Sequence, residues 1–309
     1  MMQMKIGVQI PLAVHAGTHE AFRDYLQEIE ELGFASIWLG DHIVIPKTIA
    51  NMSSYPYGWR FTSDLDHFFP SKAFLEPIST CGFIAGATKR VEIGVGVFVV
   101  PMRNPVELAK ELACLDVMSG GRLIAGVGAG WMEEEFVALG QPYKGRGARL
   151  DEAVELMRAL WSGEATTFAG AHFQVRDIYC QPVPTRPEGP PIWIGGHTDL
   201  ALERCARYST GWHAIELSPD DFAAHSAKLD VRLAAHGRAP HEVVRSVACR
   251  VRLSGPDLDE TKTLVADYAA AGCEHLVLYT TPTRSIEENL ERFRRFCEEV
   301  GLDAGLAVS

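Results

Sequence analysis

The feature that most constrains this chain is a rhythm. Short, near-continuous apolar runs recur eight times, and nearly every one is followed by an amphipathic stretch of helical period. The runs are Lys5–Pro11, Ala35–Leu39, Val91–Val97, Arg122–Val127, Pro191–Ile194, Gly211–Ile215, Val243–Leu253 and His275–Tyr279. After the first, Phe22, Tyr25, Leu26, Ile29 and Leu32 repeat at helical spacing, and Gly33 stops that helix. Further helices are expected over Ser71–Ala87, from Asn104-Pro105 to about Met118, near Trp131–Leu139 and Gly147–Trp161, over Thr198–Tyr208, and from the caps at Ser218 and Ser285. A strand that is apolar at successive positions, rather than at alternate ones, is buried on both faces, as in a parallel sheet. Eight such units close into a (β/α)8 TIM barrel more naturally than they form an open doubly wound sheet. The fold class is therefore α/β. The 309 residues are read as one domain, 1–309, with insertion loops at about 43–70 and 162–190. The second insertion holds Thr166–Phe168 and His172–Val175, a small hairpin outside the repeat.

Charge and cysteine usage exclude several function classes. A net charge of −11 argues against non-specific nucleic-acid or anionic-membrane binding. Met1–Ile10 lacks the layout of a signal peptide, and Val91–Pro101 is far short of the ~20 apolar residues of a membrane span. A cytoplasmic location is expected. Seven cysteines lie scattered with no Cys-x-x-Cys pair, which reads as buried reduced thiols, not a disulfide framework. No His-Glu-x-x-His, Gly-x-Ser-x-Gly or phosphate-loop signature is present, and no metal site is expected.

In a barrel the residues just after each strand face the active site. Here they include Gly40-Asp41-His42, Gly96-Val97-Phe98, Gly126-Val127-Gly128-Ala129-Gly130-Trp131 and Gly195-Gly196-His197-Thr198. Glycines between a strand and a helix can offer backbone N–H groups to a phosphate, as can a helix N-terminus. Trp131 stands where a dinucleotide fingerprint needs its last glycine, so the turn reads as a cradle for a flat or phosphorylated cofactor, or as a tight turn with no ligand. Gly195–Thr198 reads as a second anion cradle or as simple capping. Asp41-His42 places an acid beside an imidazole, a proton-handling pair near neutral pH or a structural pair at the barrel top.

Together these stretches resemble the bacterial luciferase-like superfamily, and within it the branch that uses the deazaflavin coenzyme F420. The stretches that carry the likeness are Gly33–His42, Asn104–Gly130, Trp131–Phe136, Arg146–Glu152 and Pro190–Gly196. The resemblance implies a barrel with insertions and a non-proline cis peptide at Gly96–Val97 that bulges against the cofactor ring. It implies cofactor contacts at Asp41, Gly96, Val97, Phe98, Gly128, Ala129, Gly130, Glu134, Gly195, Gly196, His197 and Thr198, with a homodimer as the assembly. His42 and Asp41 match the pair near the reactive end of the deazaflavin. Family members acting on sugar phosphates carry an acid where this chain has Trp131, so that substrate class is not expected. Phe61, Phe68, Phe69 and Trp131, together with Phe98, suggest a hydrophobic or aromatic organic substrate.

The expected function is hydride transfer between F420 and such a substrate, with His42 exchanging a proton at the substrate oxygen and Asp41 orienting the cofactor or His42. The alternative keeps the fold and uses reduced FMN, supplied by a separate reductase, with oxygen as a monooxygenase. A non-catalytic flavin-binding relative is a third reading, opposed by the intact Asp41-His42 pair and both glycine turns.

Overall fold

The computed structural model describes residues 4–10, 19–49, 74–251, 253, 257–280 and 285–301. In chain order the elements begin with β1 (Lys5–Gln9), α1 (His19–Glu31), β2 (Ser36–Leu39), α2 (Pro77–Ala87), β3 (Glu92–Val99), α3 (Pro105–Ser119), β4 (Leu123–Gly128), α4 (Glu133–Ala138) and α5 (Arg146–Leu160). A hairpin of β5 (Thr166–Ala169) and β6 (Gln174–Ile178) follows. Then come β7 (Ile192–Gly195), α6 (Asp199–Tyr208), β8 (Gly211–Ile215), α7 (Pro219–Ala235), β9 (Val244–Val251), α8 (Asp257–Ala270), β10 (His275–Thr280) and α9 (Ile286–Val300).

Eight strands close into a barrel in the order β1-β2-β3-β4-β7-β8-β9-β10, every pairing parallel. This is the (β/α)8 barrel that the apolar rhythm implies, with all eight strands where the sequence put them. β5 and β6 form a separate antiparallel pair. Among the described residues no helix is long and apolar enough to cross a membrane.

The main core lies between strands and helices. Leu26 and Ile29 of α1, Leu108 and Leu112 of α3, and Phe293 and Phe296 of α9 are fully buried against it. Burial of each such side chain contributes about 1.5–3 kcal/mol. A second, smaller cluster fills the barrel itself: Trp38, Ile124, Trp193, Ala248 and Val277. Two histidines join it. The His213 ring stacks on Trp38 at 4.5 Å and 4°, and His275 stands edge-on to Trp193 at 5.4 Å. His213 Nδ1 pairs with Ser246 Oγ at 2.9 Å and His275 Nε2 with Ser36 Oγ at 2.7 Å. Burial pushes both imidazoles down to about 3, so both are neutral at physiological pH.

At the N-terminal ends of the strands, polar side chains are spent on backbone. Buried Glu30 accepts the amides of Lys89, Arg90 and Val91, which lead into β3. The Arg122 guanidinium donates to the carbonyls of Ala85, Thr88, Val91 and Ser119. Such groups would otherwise lie unpaired at the loop crossings.

Two of the element starts that differ from the sequence expectation have a visible cause. α2 starts at Pro77, not Ser71, because the Glu76 carboxylate caps the Ile78 and Ser79 amides at 3.0 and 2.7 Å (Ser71–Lys72–Ala73 lie outside the described residues). β6 starts at Gln174, not His172, because the Glu152 carboxylate takes the amides of Ala171, His172 and Phe173 that a ladder would need.

Candidate active site

β2 runs straight into Gly40, Asp41 and His42 at the C-terminal mouth of the barrel. Asp41 is buried, and its carboxylate is fully engaged. Oδ2 accepts Val99 N at 2.7 Å, and the two oxygens take Arg103 Nη1 and Nη2 at 2.6 and 2.8 Å. A desolvated carboxylate requires this kind of paired, charge-assisted partner. Of the two roles expected of Asp41, orienting the cofactor or His42, the second is not the one seen: Asp41 ties the end of β3 to the end of β2.

The carboxylate that holds His42 is Glu135. His42 Nδ1 lies 2.7 Å from Glu135 Oε2, and Glu135 Oε1 accepts the amides of Ile43 and Val44 at 2.9 and 3.3 Å. The Glu135 side chain is 2% exposed and that of His42 is 13% exposed. A buried carboxylate on Nδ1 favours the proton on that nitrogen and fixes the orientation of the ring. The His42 ring stands edge-on to Phe74 at 5.3 Å and to Trp131 at 6.0 Å. Trp131 and Phe74 also pack on Ile49 and Met132, with Ile45 beside them. The imidazole therefore sits beside apolar and aromatic surface.

Sequence reading did not single out Glu135. A signal was present, however. Met132, Glu135 and Phe136 share one helical face and are buried, whereas Glu133 and Val137 are exposed. An acid on the inward stripe of a helix needs a partner inside the protein.

The peptide between Gly96 and Val97 is cis, where the resemblance puts it. Around it the pairing of β3 with β4 shifts register between Val95 and Phe98. Gly96 and Val97 are half-buried, while Val95 and Phe98 on either side are fully buried. Phe98 therefore does not line the mouth as expected, because the register shift turns its ring into the main core.

The glycines of the two turns have a use that the sequence did not reveal. A Cβ on Gly128 would stand 2.5 Å from Val97 Cγ2, and one on Gly195 would stand 2.4 Å from Val97 Cγ1. These glycines make room for the Val97 side chain. Gly130, with φ +79°, presents its carbonyl to Arg146 Nε at 3.0 Å. The Arg146 guanidinium lies 3.8 Å over the Tyr143 ring, and Tyr143 OH donates to Trp131 O. No carboxylate pairs with Arg146 among the described residues. It is a second mouth residue that the sequence reading gave no role.

On the facing strand, Gly196 N donates to His213 O at 3.1 Å and Trp212 Nε1 donates to Gly196 O at 2.7 Å. Thr198 caps α6 through Ala201 N. His197, half-buried, lies 5.5 Å from the His225 ring. Ala129 and Glu134 are half-buried at the turn after β4 and in the first turn of α4. Phe61, Phe68 and Phe69 lie outside the described residues. Among the described residues no group of His, Cys, Asp and Glu side chains could hold a metal ion.

With this geometry in view, the comparisons with known proteins are consistent with one another. The family model described as luciferase-like monooxygenase matches residues 4–271. A Mycobacterium bovis protein described as uncharacterized is 32% identical over 216 residues, covering 69% of this chain and 72% of that one. A monooxygenase from Streptomyces bottropensis superposes with TM-score 0.75 at 19% identity, over 96% of this chain and 98% of that one. An F420-dependent secondary alcohol dehydrogenase, solved with an F420-acetone adduct, does so with TM-score 0.75 at 18% identity, over 96% and 98%. The chain belongs to the luciferase-like monooxygenase family of oxidoreductases.

Proposed function

We propose that this chain is an F420-dependent oxidoreductase that interconverts a hydrophobic or aromatic carbonyl compound and its alcohol. The observation that carries this reading is the His42–Glu135 pair: an imidazole fixed on a buried carboxylate at 2.7 Å, at the barrel mouth and beside Trp131 and Phe74. The solved dehydrogenase of the same fold, bound to an F420-acetone adduct, supports the same chemistry.

The residues fit a planar, phosphorylated cofactor. The half-buried Gly96–Val97 bulge offers a surface for the ring. Arg146, beside Gly130 and with no carboxylate partner among the described residues, offers a cation for the phosphate. The first-turn amides of α6 add donors on the far side of the mouth. When bound, the deazaflavin supplies or accepts a hydride. His42 gives a proton to the substrate oxygen in reduction and takes it back in oxidation. Glu135 keeps the ring oriented and stabilises the imidazolium. Trp131, Phe74 and Met132 exclude water from that proton and present an apolar wall to the substrate.

Titration of the purified protein with F420 and with FMN, followed by cofactor fluorescence, tests the reading. Tight F420 binding and turnover of a ketone with reduced F420 are expected. Tight FMN binding with no F420 binding would instead support a monooxygenase fed by a separate reductase.

A further inference from the structure

The C-terminal mouth has two unlike halves. Alternate residues of each barrel strand face the axis. Trp38, Trp193, Ala248 and Val277 do so in the buried layer, with His213 stacked among them. Higher on the same faces comes the floor of the mouth. On β2, β3, β4 and β7, which are neighbours in the barrel, that position is a glycine: Gly40, Gly96, Gly128 and Gly195. On β8, β9, β10 and β1 it is Ile215, Arg250, Tyr279 and Gln9. Ile215 and Tyr279, both half-buried, pack on the layer below. Bare backbone on one half leaves room for a flat ring, and side chains rise beside it on the other.

That raised side is organised around Tyr279. Its register partner on β9 is Arg250, whose guanidinium lies 5.7 Å over the Tyr279 ring. Tyr279 OH donates to Glu216 Oε1, which also accepts Arg250 N at 2.9 Å. Glu216 directly follows β8, and its backbone is left-handed, with φ +53°. A residue with a Cβ persists there only where its surroundings hold it. Here Glu216 N donates to Ala248 O at 2.7 Å, and the carboxylate reaches across β9 to β10. The left-handed residue thus pins the phenol end of Tyr279, and the ring is set in one orientation before any ligand arrives. Such preorganisation lowers the ordering cost of binding. Only β1 separates β10 from β2, the strand that leads to His42. Two strand spacings amount to roughly 10 Å, which one ring-bearing ketone can bridge.

We propose that Tyr279 is a specificity-determining residue of this mouth: the substrate carries an aryl ring that stacks on Tyr279 while its carbonyl oxygen meets His42. This rests on the carbonyl chemistry proposed above and narrows its substrate class to aryl ketones and their alcohols. Glu216 and Arg250 act through Tyr279, as positioning residues.

The probes are acetophenone and cyclohexyl methyl ketone, which have the same heavy-atom skeleton and differ in aromaticity. Each is titrated by ligand-observed NMR into the full chain, with F420 and with FMN present in parallel. Saturable binding of acetophenone below about 10 mM is expected. Stacking should favour it over the cyclohexyl ketone about 3–10-fold. Tyr279→Phe should keep that preference, and Tyr279→Leu, which retains apolar bulk, should bring the ratio to about 1. A general loosening of the mouth would weaken both ketones alike and leave the ratio in place. Equal affinity of the two ketones for the unaltered protein, no saturation by either, or a preference that survives Tyr279→Leu would each overturn the proposal. The first two are read without any variant, so they stand even where Tyr279→Leu fails to fold. An aryl preference that tracks Tyr279 in a chain that does not bind F420 would overturn the cofactor reading alone. F420 binding with no aryl preference would overturn this inference alone.

Discussion

The two ends of this barrel use the same residue types for opposite purposes. At the N-terminal end, Glu30 and Arg122 spend their donors and acceptors on main-chain groups of neighbouring loops. At the C-terminal end, Glu135 and Asp41 also take main-chain amides, but each grips a charged or titratable side chain besides, His42 and Arg103. A charged group bonded to backbone fixes the chain's path. A charged group bonded to a side chain fixes an orientation, and orientation is what proton transfer needs. Polar burial alone therefore does not distinguish a working end from a structural one; the partner does.

The largest effect that would break this contrast comes from His42→Ala. It should lower kcat about 1,000-fold with cofactor affinity unchanged, as expected for loss of a general acid–base. Steady-state kinetics beside a cofactor titration check it, and an unchanged kcat would reduce the mouth to architecture. Glu135→Gln should give a smaller loss and shift the pH profile of kcat, because the carboxylate acts only through His42. At the other end, Arg122→Ala should cost about 3 kcal/mol in urea denaturation, since it strands several buried carbonyls. Its kcat per folded molecule should match the unaltered protein.

Acid should weaken the barrel's centre next. His213 and His275 have folded-state pKa values near 3, below the unfolded value near 6.5. The unfolded chain thus binds more protons between those limits, so their contribution is complete above pH 6.5 and is lost as pH falls toward 3. At pH 5 each histidine should cost about 2 kcal/mol relative to pH 7. His213→Gln should flatten that pH dependence by its share. The smallest effect is Gly128→Ala, about 1–2 kcal/mol from the clash with Val97. Val97→Ala should recover it in a double-mutant cycle.

The barrel was legible because strands buried on both faces carry an apolar signature at every position. α2 was misplaced because a glutamate at residue 76 acts as the cap, outside the usual Ser, Thr, Asp or Asn. β6 was displaced by Glu152, which lies 20 residues before His172 in the chain. At the mouth, His42 was legible from its place after β2. Glu135 was not, because the two lie 93 residues apart and meet only in the folded barrel. Gly128 and Gly195 were legible as positions where something approaches closely. Sequence could not say that the approaching group includes the side chain of Val97.

The stacked rings inside the barrel have one more consequence. Trp38, Trp193, His213 and His275 are each at most 5% exposed, and they bridge the axis from strand to strand. They form a septum. Among the described residues they close the barrel axis, so on the proposed function substrate and product would pass the mouth by one door. Turnover must be a traffic order at that door, with the spent molecule out before the next comes in.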